Sequence, residues 1–350
     1  MTRLPQVDMD YVVRLIMEMV NTPSPSGYSV EVMQIIDREF AALGLPVVAT
    51  NRGARIAKLA GQDEVHQRLL SGHVDTLGGM VKELKSNGRL KYVPISGTGG
   101  AHSVEGEYCT VITDSGRRIT GTVLTTKASS HVYGKEGVDL ERKPENMEIR
   151  LDENVRSVAD VRALGINVGD YIAWDPRAQL TAAGFIKSRH LDDKASVAAV
   201  LGAAKCLVDN GITPAATTHL FITNFEEVGH GAAYGTPAAV REFIAVDMGC
   251  VGDGIQATEY DVSICAKDSS GPYDADLKRR LVGLAKEHGI PHAVDVYPYY
   301  GSDASAALRG GADIRAIVIG PGVDASHSFE RTHLTGVKAT ADLLVAYLTT

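Results

Sequence analysis

Aromatic residues make up only 6% of this 350-residue chain, and Trp174 is its one tryptophan. Little flat surface is therefore available for stacking sugar rings. Cysteine is also scarce: Cys109, Cys206, Cys250 and Cys265 are scattered, with no C-x-x-C pair. That spacing excludes a dense disulfide framework and fits buried free thiols in a reducing cytosol. Basic charge is not in excess, since 35 Lys and Arg face 43 Asp and Glu, a net charge of −8. Without a basic stripe to hold a phosphate backbone, no nucleic-acid partner is expected. No uncharged apolar run reaches membrane-spanning length. The first twenty residues alternate charged and apolar side chains and lack a signal-peptide core. A cytoplasmic protein with no membrane partner is the expectation.

What is present is ordinary in amount and informative in order. The chain is 44% apolar and 22% charged, as globular proteins are, and its length suggests two domains. Apolar residues at helical spacing predict a helix from Asp8 to Val20, capped by Asp8 or Asp10. Ser29 is placed to cap a second helix that Gly44 stops. Short β-like runs follow at 47–50, 56–59 and 68–71. After Thr76 the texture becomes short β-rich segments separated by turn residues, from LKYVPIS to DYIAWD, which suggests a small barrel or sandwich. The helix-and-strand texture resumes with a buried helix from Ala195 to Val208. The predicted fold is α/β, with a mixed central sheet flanked by helices and an inserted small β-barrel domain. The divisions are 1–77 and 186–350 for the sheet domain, and 78–185 for the insert.

Five acidic or histidine motifs fall at the ends of predicted elements. They are His73 and Asp75 in LLSGHVDTLG, Asp192-Asp193 in SRHLDDKASVAA, Glu226-Glu227 after HLFITNF, Asp247 in IAVDMG, and His327 in DASHSFERTH. Taken singly, each has a bland reading as a surface histidine, a helix cap or a solvated acidic pair. Jointly, at strand ends, they match the inventory of a two-metal hydrolytic site. Such a site needs a bridging carboxylate, terminal His and carboxylate ligands, and one further carboxylate off the metals to take a proton from water. Adjacent Glu226 and Glu227 can divide two of those roles. Residues two apart on a strand face the same side, so Asp75 can receive the distal N–H of His73. Mixed nitrogen and oxygen donors suit two divalent ions per chain, zinc first, with cobalt or manganese also compatible.

The motifs GHVDTLG, LDDK, EEVG, AVDMG and HSFE, in this order across essentially the whole chain, resemble those of the dinuclear tetrahedral, deblocking and glutamyl aminopeptidases. The resemblance implies that His73, Asp192, Glu227, Asp247 and His327 hold the metals, with Asp192 as the bridge. It implies Glu226 as general base, Asp75 orienting His73, and a metal-bridging hydroxide as attacking group. YGSDASAA resembles a stretch near the family's substrate site, which makes Asp303 a candidate for substrate binding. Its alternative is a helix N-cap. Lys194 stands where the family usually has Arg, so a planar two-pronged donor is lost. His190 and His230 flank the motifs as rival ligands. The segment SHSFERTH, with Arg331 and His333, looks like a branch linked to N-acetylglutaminylglutamine osmolyte synthesis. Implied substrates are short peptides with a free N-terminus, and the implied assembly is a homo-oligomer, from dimer to dodecamer. Two enzyme alternatives remain: an N-acyl deacylase on the same metals, and a glycoside hydrolase, whose two-carboxylate chemistry leaves His73, His327, Asp192 and Asp247 unexplained. The non-enzymatic alternative is a binding or assembly protein that kept the fold. For an acidic-residue pocket the basic candidates are Lys267 and Arg309.

Overall fold

The computed structural model describes residues 4–96 and 101–350. The first helix runs Met9–Val20, and Asp8 caps it by accepting the Tyr11 N–H at 3.0 Å. Val12, Leu15, Ile16 and Met19 form its buried stripe. The second helix runs Val30–Ala42. Ser29 precedes it but does not cap it; its hydroxyl instead accepts from Asn224 Nδ2 at 3.0 Å. The capping expected there is therefore corrected: a tertiary donor won over the local N–H.

The central sheet is built around four neighbouring parallel strands, in the order Ala216–Thr223, Asp63–His73, Val240–Val246 and Arg315–Asp324. Antiparallel strands extend it: Arg55–Leu59 pairs with Ala216–Thr223, and Val262–Asp268 with Arg315–Asp324. The sheet is thus mixed. The strand anticipated at 68–71 extends over Asp63–His73, because its polar first half still pairs with both neighbours. Helix Leu191–Asp209 packs on Asp63–His73 and lies against helices Met9–Val20 and Leu334–Leu348. It is rich in Ala and Val and buried almost all round, so it shows no amphipathic stripe.

Between these elements a six-stranded antiparallel barrel closes: Gly78–Leu84, Leu90–Ile95, Met147–Leu151, Arg118–Thr125, Tyr108–Ile112, Tyr171–Trp174 and back to the first. Five of these strands are legible as β-rich runs. The sixth, Gly78–Leu84, is masked by its paired glycines and by Lys82-Glu83. The barrel has its own core, which includes Val81, Tyr92, Val111, Ile149, Ile172 and Trp174. Tyr92 meets Trp174 edge-on at 5.4 Å between ring centroids. No helix among the described residues is long and apolar enough to cross a membrane.

Candidate metal centre

Three neighbouring parallel strands deliver their carboxyl ends to one place, where open α/β sheets hold their ligands. His73 is the last residue of Asp63–His73, and Asp247 follows Val240–Val246 directly. Glu226 and Glu227 lie in the turn after Ala216–Thr223. Asp192 comes from the start of the buried helix, where it and Asp193 leave helical backbone angles and are joined by a cis peptide bond. His327 comes from the loop before strand Glu330–His333, with a left-handed φ of +62°. A histidine held there is strained, a feature that clusters at functional sites.

Two sets of donor atoms are close enough to hold a cation. One is His73, Asp192 and Asp247; the other is Asp192, Glu227 and His327; within each set the atoms lie within 4.8 Å of one another. Asp192 belongs to both. Its Oδ1 is 3.2 Å from His73 Nε2 and its Oδ2 is 3.4 Å from His327 Nε2, so its two oxygens face different histidines. His327 Nε2 is also 3.4 Å from Glu227 Oε2. Glu226 is in neither set, but its Oε2 lies 3.6 Å from His73 Nε2.

The surrounding groups hold these donors in place. His73 Nδ1 lies 3.0 Å from the Asp75 carbonyl oxygen and 3.5 Å from its carboxylate. That carboxylate also accepts from the Glu226 and Glu227 N–H groups at 3.2 and 3.3 Å, and from the Ser26 hydroxyl at 2.5 Å. Asp75 thereby fixes the Glu-Glu turn as well as His73. Glu330, buried, accepts the N–H of Asp192 at 3.0 Å and of His327 at 3.1 Å. Its role escaped the motif reading, although it is the E of HSFE. Two glycines are required by crowding: a Cβ on Gly320 would sit 1.9 Å from the Asp247 carbonyl, and one on Gly231 would sit 2.2 Å from Asp303 Oδ1.

Electrostatics make the cluster uncomfortable without cations. Burial raises Glu226 well above the ordinary carboxylate range; Asp247, Asp303 and Asp75 add to this against the pull of His73. Burial, then Asp192, does the same to Glu227. Asp247 is pushed up to about 7 by burial and by Asp192. Asp192 goes the other way: burial opposes ionisation, but His327 and His73 outweigh it and hold the carboxyl below its usual value. Burial would lower His73, yet Asp192, Asp75 and Glu226 raise it well above an ordinary histidine.

The residues present fit a metal. His73 Nε2 is buried, has no hydrogen-bond partner, and faces carboxylates. An orphaned ring nitrogen is costly in a purely structural cluster and is expected of a ligand. His190 does not join the site: it is buried, its Nε2 lies 3.3 Å from the Trp174 carbonyl, and burial and then Lys194 lower it to about 3. His230 is exposed, stacked on Phe225 and held by Arg52.

Asp303 is not the N-cap. Ser302 caps helix Asp303–Arg309 in a capping box with Ser305, and this frees the Asp303 carboxylate to accept from Thr223 Oγ1 at 2.7 Å and Ala232 N–H at 2.8 Å. A cleft of about 880 Å³ opens over the cluster, lined by Asp192, Glu226, Glu227, Asp247 and His327, by Tyr299 and Tyr300, and at one side by Pro94 to Ser96 of the barrel. Arg309 lines it too. Lys267 instead donates to the Asp268 carbonyl at 2.7 Å.

Residues 53–343 match the M42 glutamyl aminopeptidase family. The chain belongs to that family. Members are metallo-aminopeptidases, so this protein is a hydrolase of that class. A Bacillus subtilis (strain 168) protein named "Putative aminopeptidase YhfE" is 49% identical over 334 residues, covering 95% of this chain and 96% of that one. The TET aminopeptidase of a marine sediment Thaumarchaeota archaeon shares the fold with a TM-score of 0.87 at 20% identity, over 97% of this chain and 96% of its own. The Pyrococcus horikoshii TET1 peptidase, which assembles into a tetrahedron or a large octahedral shell, aligns with a TM-score of 0.84 at 21% identity, over 96% and 99%. Arg331 and His333, the residues suggestive of an osmolyte branch, do not line the cleft of this M42 member. Arg331 pairs with Glu259, and His333 caps the last helix.

Proposed function

We propose that this M42 enzyme removes N-terminal residues from short peptides with a free α-amine, using two divalent cations. The observation that carries the reading is Asp192, whose two oxygens face two histidines in two separate donor sets. A carboxylate shared in this way is what a two-ion site requires. His73 and Asp247 would hold one ion, His327 and Glu227 the other, with Asp192 between them. Zinc suits these donors, and so do cobalt and manganese.

The bound ions would supply Lewis acidity toward the scissile carbonyl and make a water acidic at neutral pH. Glu226 takes the proton of that water. It stands outside both donor sets, on the cleft wall, and burial raises its carboxyl well above the ordinary carboxylate range. The same carboxyl then delivers the proton to the leaving amine. Asp75 keeps Glu226 and Glu227 pointed apart by holding both backbone N–H groups. The cleft walls, with Tyr300 and the barrel edge, exclude bulk water and set the size of the N-terminal side chain accepted.

Assembly into a closed homo-oligomer would restrict substrates to short peptides, and the shell described for the Pyrococcus relative supports that reading. Exposed Val132, Tyr133 and Val138 on the insert offer apolar surface for it. Sedimentation as a monomer would sink the assembly claim.

The test of function is metal content together with hydrolysis of free and N-acetylated aminoacyl arylamides, before and after chelation. Expected are two metals per chain and chelator-sensitive cleavage of the free-amine substrates only. Cleavage of the acetylated series would make the enzyme a deacylase, and chelator-resistant cleavage would undo the metal mechanism.

A further inference from the structure

The amino ends of the same strands, opposite the metal centre, carry a second cluster. Glu242 pairs in register with Arg68 on one neighbouring strand and with Arg315 on the other. Arg280 reaches in from helix Ala275–His288, and Tyr347 from the last helix. Arg280 and Arg315 both donate to the Glu242 carboxylate. The Tyr347 hydroxyl does so at 2.8 Å, and Arg68 Nε lies 3.6 Å away. Arg68 and Arg280 also pack their guanidinium groups against the Tyr347 ring, at 4.4 and 4.8 Å from its centroid. Glu242, Arg68, Arg280 and Arg315, with Arg241 and Asp63, line a cavity of about 250 Å³.

Charge in this cavity does not balance. Arg68, Arg241, Arg280 and Arg315 bring four positive charges; Glu242 and Asp63 bring two negative ones, leaving two unmatched. Asp63 is already occupied by the N–H groups of Val65 and His66 at 2.7 and 3.0 Å. Burial works against ionised Glu242, but Arg280, Tyr347 and Arg68 outweigh it, so its charge counts fully. Glu242 is shared by three guanidinium groups; Arg68 also donates through its two terminal nitrogens to the Tyr347 and Thr350 carbonyl oxygens at 2.6 and 2.7 Å, while the buried Nε of Arg280 has no partner. A donor left so is expensive in a purely structural ion-pair network. Arg241 and Arg315 are exposed at the mouth, with donors to spare.

We propose that this cavity binds a small oxyanion of the phosphate class: inorganic phosphate or a phosphomonoester. Two unmatched charges suit a dianion, and guanidinium forks match its oxygens in pairs. The site shares no residue with the metal centre. Arg68 and His73 are five residues apart on one strand, roughly 17 Å at about 3.3 Å per residue. The proposal thus stands or falls separately from the aminopeptidase reading.

The experiment is calorimetric titration of the metal-loaded enzyme with inorganic phosphate at constant ionic strength, on the wild type and on the double variant R241Q/R315Q. Both replaced side chains are exposed, so the Arg68–Glu242–Arg280 network stays intact, and unchanged peptidase activity without phosphate verifies the fold. Phosphate that binds the metals binds both proteins alike. The expected result is one equivalent per chain in the wild type that weakens at least tenfold in the double variant, with R315K in between. Identical phosphate isotherms for wild type and double variant would overturn the proposal, as would an equal response to chloride. Glucose 6-phosphate and glycerol 3-phosphate, titrated in the same way, separate an ester ligand from free phosphate.

Discussion

The carboxylate of Glu330 receives the backbone N–H of Asp192 at 3.0 Å while standing outside both donor sets. Its other oxygen receives the N–H of His327. One buried acid thus positions the shared carboxylate and a histidine from a different loop. Burial and then Asp192 raise its own carboxyl well above the ordinary range. Glu330→Gln keeps one acceptor oxygen and turns the other position into a donor facing a donor. Metal affinity, read by competition with a chelator, is expected to fall about 10–100-fold, as is usual when a group behind a ligand is lost. An unchanged affinity would remove Glu330 from the metal centre.

Glu226→Gln separates base from ligand. The amide is nearly isosteric and cannot take a proton. Turnover should fall by about 10²–10⁴, the usual worth of general-base help, with metal content unchanged. Loss of metal along with activity would make Glu226 a ligand. Asp192→Asn is the contrasting variant and should lose metal as well as turnover.

Asp247 gives the pH dependence its sign. Its carboxyl is pushed from 3.8 up to about 7 by burial and then by Asp192. Between those values the folded chain holds a proton that the unfolded chain has lost. Stability of the chelated protein from this group is therefore full below about 4 and is lost as pH rises through about 7. Cations that bind the ionised form reverse the penalty, so added zinc should raise the thermal midpoint more at pH 7.5 than at pH 5. Equal shifts at both pH values would contradict this.

Lys194 is fully buried, and its Nζ donates to the carbonyls of Met19 at 2.8 Å and Thr22 at 2.9 Å. It ties the C-terminal end of the first helix to the helix that carries Asp192. Burial lowers its pKa to about 7, against the opposite pull of Asp75. Lys194→Met leaves the half-buried Thr22 carbonyl without its donor and the Met19 carbonyl with only the Thr22 N–H at 3.0 Å, and about 1–3 kcal/mol of stability should be lost. Chemical denaturation of the metal-loaded proteins measures it; a variant as stable as the wild type would show that the tie carries no weight.

Local chemistry made much of the chain legible before any fold was known. Helical spacing marked Met9–Val20, and short β-rich runs between turns marked most of the barrel. The donor types were legible too, because metal chemistry needs histidines and carboxylates and these stood at strand ends. Strand Gly78–Leu84 was not, because pairing on both sides made a strand of residues with little β preference.

The sequence by itself determined the inventory: which side chains could bind metal, in what order, and on which kinds of element. Only the tertiary structure decided who meets whom. It placed Asp192 between two histidines, sent the Asp75 carboxylate to the Glu226-Glu227 backbone, freed Asp303 by letting Ser302 cap its helix, and gathered four arginines at the far end of the sheet. The reason is physical. Periodicity and propensity act within a few residues, whereas these contacts join segments far apart in the chain, and their geometry is set by strand register and by helix packing on the sheet.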